Sequence, residues 1–257
     1  MPTLDLDRRF GGIRRLYGDA ALTRLQTAHV CVIGIGGVGS WAAEALARSA
    51  IGRLTLIDLD HVAISNVNRQ AHALDGQFGV AKVSAMAERI RLINPQCQVN
   101  TIEDFVEPDH IARYIDPSHG YDYVVDAIDN VRSKIALIAH CRAQALPLVV
   151  SGSAGGRIDP SRIMVDDLAR THDDPIAAKL RAGLRKQYDY PRDPKKRFGV
   201  ECVYSTEPIR YPTADMNAPP ETSAPQGLNC AGFGSSMCVT ASFGMLAAAR
   251  VLLHLTQ

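Results

Sequence analysis

No two of the six cysteines, at positions 31, 97, 141, 202, 230 and 238, are separated by two residues, so no single turn offers a thiolate pair to zinc. A structural zinc site is not expected. An excess of one charge is also missing: 28 lysines and arginines against 27 acids leave +1, with a pI of about 7.7. Attraction to nucleic acid must therefore come from a local patch. The start, MPTLDLDRRF, has acids and no apolar leader, and Cys31 falls in an expected core strand, so the cysteines are expected to be reduced thiols of a cytoplasmic protein. The apolar stretch from Ala231 to Leu255 is interrupted by Gly232, Gly234, Ser235, Ser236, Thr240, Ser242 and Arg250. It predicts a buried terminal helix and no membrane partner. Internal repeats are absent.

What is present is an alternation. The run His29-Val-Cys-Val-Ile33 is short, β-rich and ends in glycines, and Val38 to Ser49 has helical spacing. Leu54 to Ile57 forms a second apolar run that stops at Asp58, giving a β-α-β opening. Further strands are expected at Val99 to Ile102, Tyr123 to Val125 and Leu148 to Val150, with helices near Ala81 to Ile93 and Val131 to Ala145. The pattern predicts an α/β fold: a doubly wound, Rossmann-like, mostly parallel sheet with helices on both faces. After Ser151, SGSAGG reads as a turn-rich loop, Arg162 to Asp166 as a strand and Pro175 to Tyr188 as a helix. The stretch from there to Pro225 reads as long loops. The expected organisation is a nucleotide-binding core over 1–157 and a C-terminal extension over 158–257 packed on the same domain.

Gly34-Ile-Gly36-Gly37-Val-Gly39 follows a strand and opens a helix, so its amides can approach phosphates where the helix N-terminus is partly positive. Asp58 ends the next strand, where a ribose hydroxyl is commonly accepted, and taken alone these features suit an NAD-dependent oxidoreductase equally well. Asn66, Arg69 and Lys82, with Asp60, follow within one connection, and such a set suits a triphosphate better than a dinucleotide. After the fourth strand comes Asp126-Ala-Ile-Asp129-Asn130. A carboxylate there could hold a Mg²⁺ that bridges phosphates, or Asp129 or Asn130 could simply cap the next helix.

GIGGVG, LIDLDHVAISNVNRQ, GVAK and DAIDN, in that order between Arg8 and Ser151, resemble the successive motifs of the ubiquitin-activating-enzyme-like superfamily, to which ThiF and MoeB belong. The resemblance implies ATP-dependent adenylation of a carboxylate. Asp58 would hold the ribose, Asn66, Arg69 and Lys82 the phosphates, and Asp129 the Mg²⁺, with Gly34, Gly36, Gly37, Gly39 and Asn130 lining the cofactor. It also implies a homodimer in which an N-terminal arginine of one subunit reaches the other's ATP. Here glycines stand at that place, and Arg9 and Arg14 are the candidates. The paired C-x-x-C ligands of ThiF and MoeB are missing. RRFGGIRRLYG, SGSAGGRIDP and CVYSTEP resemble more narrowly the branch that activates the carboxylate of threonylcarbamoyladenosine in tRNA and closes it into a ring.

That branch implies tRNA as partner, with sulfur-transfer accessory proteins and a monovalent cation in the Ser151 to Asp159 loop as further expectations. Arg181, Arg185, Lys186, Arg192, Lys195, Lys196 and Arg197, with Tyr188 and Tyr190 nearby, form a candidate tRNA surface or a solvated loop. Cys202 and Cys230 are candidate acyl carriers or structural thiols. The rival functions are adenylation of a ubiquitin-like or sulfur-carrier protein's C-terminal glycine, and a non-catalytic scaffold in a sulfur-transfer or tRNA-modification complex.

Overall fold

The computed structural model describes residues 5–211 and 233–257, so Cys230 and the Pro225 stretch lie outside the described residues. The elements in order are α1 (Leu6–Tyr17), α2 (Asp19–Thr27), β1 (His29–Ile33), α3 (Gly39–Arg48), β2 (Arg53–Ile57), α4 (Lys82–Ile93), β3 (Gln98–Ile102) and α5 (Ile111–Tyr114). They continue with β4 (Tyr123–Asp126), α6 (Val131–Ala143), β5 (Leu148–Ser151), β6 (Ile163–Asp167), α7 (Pro175–Gln187), β7 (Glu201–Ser205) and α8 (Met237–Leu255).

The strands make one sheet in the order β3-β2-β1-β4-β5-β7-β6, parallel except for β6, which runs antiparallel to β7. Because successive side chains on a strand point to opposite faces, each buried strand feeds two cores. Val30 and Val32 pack with α3, α4 and α8, while Cys31 and Ile33 pack on the other face with α6 and α7. The order in which successive strands are laid down reverses between β1 and β4, which remain parallel. At that switch point the loops leaving the two strands diverge and open a crevice at their carboxyl ends.

Local chemistry sets the helix ends. Asn130 caps α6 by accepting the Ser133 N–H, Asp174 caps α7 by accepting the Ala177 N–H, and Ser236 caps α8. The apolar α8 is long enough to cross a membrane, yet it lies along α3 and contacts β4, β5 and β7. A side chain on Gly244 would stand 2.4 Å from the Val38 carbonyl, so only glycine lets α8 sit this close. Phe243 and Val251 are fully buried there, each contributing about 1.5–3 kcal/mol by burial.

Two features differ from the sequence expectation. α1 and α2 were not assigned, and the segment read as loop contains β7, which is buried between β5 and β6. The residues after 157 therefore supply β6 and β7 to the same sheet and α8 to its face.

Candidate functional site

The glycine loop leaves β1 at the switch point. Gly34 has φ +84°, and a Cβ on it would lie 2.7 Å from the Ala127 carbonyl, in the loop after β4. At Gly39 a Cβ would fall 1.8 Å from the Gly34 carbonyl, so the first turn of α3 folds back on its own loop. Gly37 is crossed by the aliphatic stem of Arg69, whose Cγ lies 3.2 Å from where a Cβ would start. Gly36 meets nothing within 4 Å. Three glycines thus answer to protein neighbours, and one faces open space with its backbone available to a ligand. Gly36→Ala is therefore expected to leave the urea midpoint unchanged and weaken ATP binding about tenfold, ~1.4 kcal/mol, in a calorimetric titration.

Asp58 leaves β2 nearly buried. Its carboxylate accepts the Ile35 N–H at 2.6 Å and the Asp60 N–H at 2.8 Å, tying the second strand to the glycine loop. Burial pushes its pKa up, against the pull of the Lys82 charge and the two amides. Lys82 opens α4, where the helix dipole disfavours a cation, and its side chain is 8% exposed. Its ammonium is held by Asp60 at 2.6 Å, and its three N–H donors leave capacity for a second anion.

Between them, the turn Ile64–Asn66 is closed by the Asn66 amide oxygen, which accepts the Ala63 N–H at 3.0 Å. Any ligand contact of Asn66 then falls to its amide nitrogen. The Arg69 guanidinium donates to the Ser65 carbonyl and to Asn68 Oδ1, both at 2.8 Å. The Trp41 indole donates to the Arg69 carbonyl at 2.8 Å and fixes the turn against α3.

After β4, the acidic cluster divides. Asp126 is fully buried and paired with the equally buried Lys134 at 3.0 Å. Burial raises the Asp126 pKa while Lys134 lowers it, and Asp126 Oδ2 makes no hydrogen bond among the described residues. Asp129 is half-buried in the loop beyond, and Asn130 is exposed with its oxygen on the α6 cap. Sequence spacing did not reveal Lys134, since a lysine on a helix ordinarily reads as solvated surface. Among the described residues no three His, Cys, Asp or Glu side chains gather as a metal cluster. The loop offers the single half-buried carboxylate of Asp129, and Mg²⁺ is a metal usually held by one or two carboxylates together with substrate phosphates.

A second internal cation lies where a bound metal was expected. Arg157 is fully buried in the loop after β5, paired with Asp174 at 3.2 Å and bonded to the Ser153 carbonyl. Asp174 also accepts the Ser153 N–H at 2.9 Å and caps α7. This loop is therefore organised around a guanidinium that the sequence alone did not single out.

The basic strip lies elsewhere. α7 begins beside Ser153 at the carboxyl edge and runs to the opposite edge, where Asp167 accepts the Phe198 and Gly199 N–H groups before β7 starts. Lys186 to Arg197 thus border the amino edge of the sheet, more than a strand length of about 17 Å from the glycine loop, which leaves β1 at the other edge. Arg181 donates to Thr171, and Arg185 donates to the Pro191 carbonyl and lies 5.4 Å over the Phe198 ring. At the N-terminus, Arg9 donates to the Ile93 carbonyl at the end of α4, and Arg14 pairs with Asp7 at 3.0 Å. Within this chain both arginines have structural partners.

The thiols are mostly inert. Cys202 is fully buried on β7 and burial pushes its pKa far up, which disfavours a thiolate nucleophile. Cys97 and Cys141 are raised to about 12 by burial, whereas Cys238 is exposed in the first turn of α8.

His72 is buried beside the site, with neither ring nitrogen hydrogen-bonded among the described residues. Burial, then the Lys82 and Arg89 charges, lowers its pKa from 6.5 to about 4. Because the folded-state pKa is depressed, stability is complete above 6.5 and falls as His72 is forced to charge toward pH 4. Urea unfolding is expected to show that loss, at up to about 1.4 kcal/mol per pH unit, with a shallower slope in His72→Leu. Equal slopes would assign the loss to other groups.

These features define a ThiF-type nucleotide fold, and the chain belongs to the ThiF family, whose family model matches residues 9–257. It is 53% identical over 251 residues to the tRNA threonylcarbamoyladenosine dehydratase of Escherichia coli (strain K12), covering 95% of this chain and 92% of the relative. The Haemophilus influenzae enzyme of the same description is 49% identical over 247 residues, covering 96% and 92%. The crystal structure of E. coli tRNA N6-threonylcarbamoyladenosine dehydratase in complex with ATP superposes with a TM-score of 0.87 at 50% identity, covering 99% of this chain and 96% of that one. The α/β fold and the superfamily resemblance are thereby borne out.

Proposed function

We propose that this chain is an ATP-dependent dehydratase that adenylates the carboxylate of threonylcarbamoyladenosine in tRNA and promotes its cyclisation. The observation that carries the reading is the interlocking of four motifs at one crevice. The Asp58 carboxylate accepts the Ile35 N–H, Lys82 of GVAK pairs with Asp60, Arg69 crosses Gly37, and Gly34 packs on Ala127 just before Asp129. Similarity to dehydratases along nearly the whole chain supplies the substrate class.

A carboxylate is a poor electrophile because its charge is delocalised and its oxygen leaves badly. Attack of that oxygen on the α-phosphorus of ATP forms the acyl adenylate and releases pyrophosphate. An internal nucleophile of the modified base then attacks the acyl carbon, AMP departs with the electron pair, and the nucleophile's proton passes to solvent. The nucleoside loses one water overall, its oxygen leaving within AMP. In this scheme Asp58 holds the ribose, and the Gly36 backbone, the Asn66 amide nitrogen, Arg69 and Lys82 hold the phosphates. Mg²⁺, held by Asp129 with Asn130 adjacent, would neutralise phosphate charge. Ring closure needs no thioester, in keeping with the buried Cys202.

The enzyme would act in the cytoplasm as a homodimer, with sulfur-transfer proteins as accessories to be sought by co-purification. The cationic strip at the amino edge would meet an arm of the tRNA distant from the modified base. A monovalent cation near Ser151 to Asp159 would share the loop with Arg157, and its test is turnover in sodium against potassium. The central experiment supplies ATP, Mg²⁺ and threonylcarbamoyl-modified tRNA. Loss of one water from the nucleoside with stoichiometric AMP is the expected result. AMP release driven by a ubiquitin-like carrier instead of the tRNA would favour carrier adenylation, and no turnover with either would favour a scaffold.

A further inference from the structure

SGSAGG is not accounted for by nucleotide binding, yet the structure gives its last glycine a specific task. The Gly156 N–H donates to the Gly234 carbonyl and the Gly156 carbonyl accepts the Arg210 N–H, both at 2.8 Å. Gly156 has φ +71°, and a Cβ there would lie 2.7 Å from Ile209 and 3.5 Å from the Phe233 ring. Only glycine lets both chain segments close on this point. What they carry is an aromatic pair: Tyr211 and Phe233, with ring centroids 5.1 Å apart and planes at 64°. Tyr211 is 74% exposed. Beside it, the turns bearing Ile158 and Ile209 line an open cleft of about 420 Å³.

The position matters. Gly156 follows β5 and Tyr211 follows β7, so this platform sits on the same carboxyl edge as Asp129, one to two strand spacings or about 5–10 Å along the sheet. A nucleotide adjoining the one being activated would reach them. Local charge is nearly balanced, because Glu207 is held by Arg210 at 3.4 Å and by the Ile158 and Asp159 amides, while Asp159 caps a turn near Arg162. Such a surface favours an aromatic face over a phosphate, and bases stack on exposed tyrosine with little regard to sequence.

Resting on the tRNA reading above, we propose that Tyr211, supported by Phe233 on the Gly156 platform, stacks an unpaired base next to the modified adenosine. The contact positions the RNA and takes no part in the chemistry. The test is a binding cycle with an anticodon stem-loop RNA carrying threonylcarbamoyladenosine and the same RNA made abasic at the neighbouring nucleotides in turn. Tyr211→Ala is expected to weaken binding of the intact RNA about tenfold. One abasic RNA should lose a similar factor with the unaltered protein and nothing further with Tyr211→Ala. Tyr211→Phe should restore affinity, and the salt slope should not change. Undiminished affinity in Tyr211→Ala, an abasic loss that persists in it, or no RNA binding by the unaltered protein would each overturn the inference. Because the readout is binding, a failure of dehydration would count against the catalytic reading separately.

Discussion

Lys82→Ala is expected to lower ATP–pyrophosphate exchange roughly 100- to 1,000-fold, the range seen when one preorganised charge partner of a transition state is removed. Stability should change little, because the partner left behind, Asp60, is 56% exposed and returns to water. Asp58 feels the loss as well: without the nearby ammonium its already raised pKa rises further. Arg69→Ala should follow in exchange, since among the described residues its guanidinium bonds only within its own turn and its removal uncovers Gly37. Exchange assays beside urea unfolding separate the two effects. Near-normal exchange in Lys82→Ala would remove Lys82 from the phosphate site.

The second large effect concerns stability. Lys134→Met leaves the Asp126 carboxylate fully buried without its cation, and should cost about 3–5 kcal/mol in urea unfolding at pH 7. The sign with pH is diagnostic. Burial already raises the folded-state pKa of Asp126 above its unfolded value, and losing Lys134 raises it further. The variant therefore regains stability below the unfolded pKa, where Asp126 is protonated in both states, and loses it as pH rises through the folded value. Adding Asp126→Asn removes the stranded charge and is expected to recover most of the deficit, since both groups are then neutral. A double variant no better than the single one would mean the deficit comes from packing alone.

Strand and helix periods were legible where an apolar run was bounded by turn residues or a helical spacing was long, as from His29 to Ile57 and in Pro175 to Gln187. β7 was not, because Glu201-Cys-Val-Tyr-Ser205 is short and follows a charged, proline-bearing stretch that reads as loop. At the candidate site, the glycine spacing and Asp58 identified the crevice because those residue types answer to backbone geometry. The roles of Lys134 and Arg157 were hidden for the opposite reason. Their partners are fixed by packing, between the end of a strand and the following helix in one case and between two loops in the other, and a cation in sequence carries no mark of burial. The basic strip shows the same limit: its density was visible, and its place on the far edge followed only from the course of α7 and β7.

Cys238 has a practical value that its chemistry does not suggest. It is exposed in the opening turn of α8, two residues before Thr240, whose Cβ lies 3.4 Å from where a Gly37 side chain would begin, while Cys31, Cys97, Cys141 and Cys202 are buried. With Cys230 changed to serine, a maleimide fluorophore should attach there alone, and its emission would report nucleotide arrival in real time.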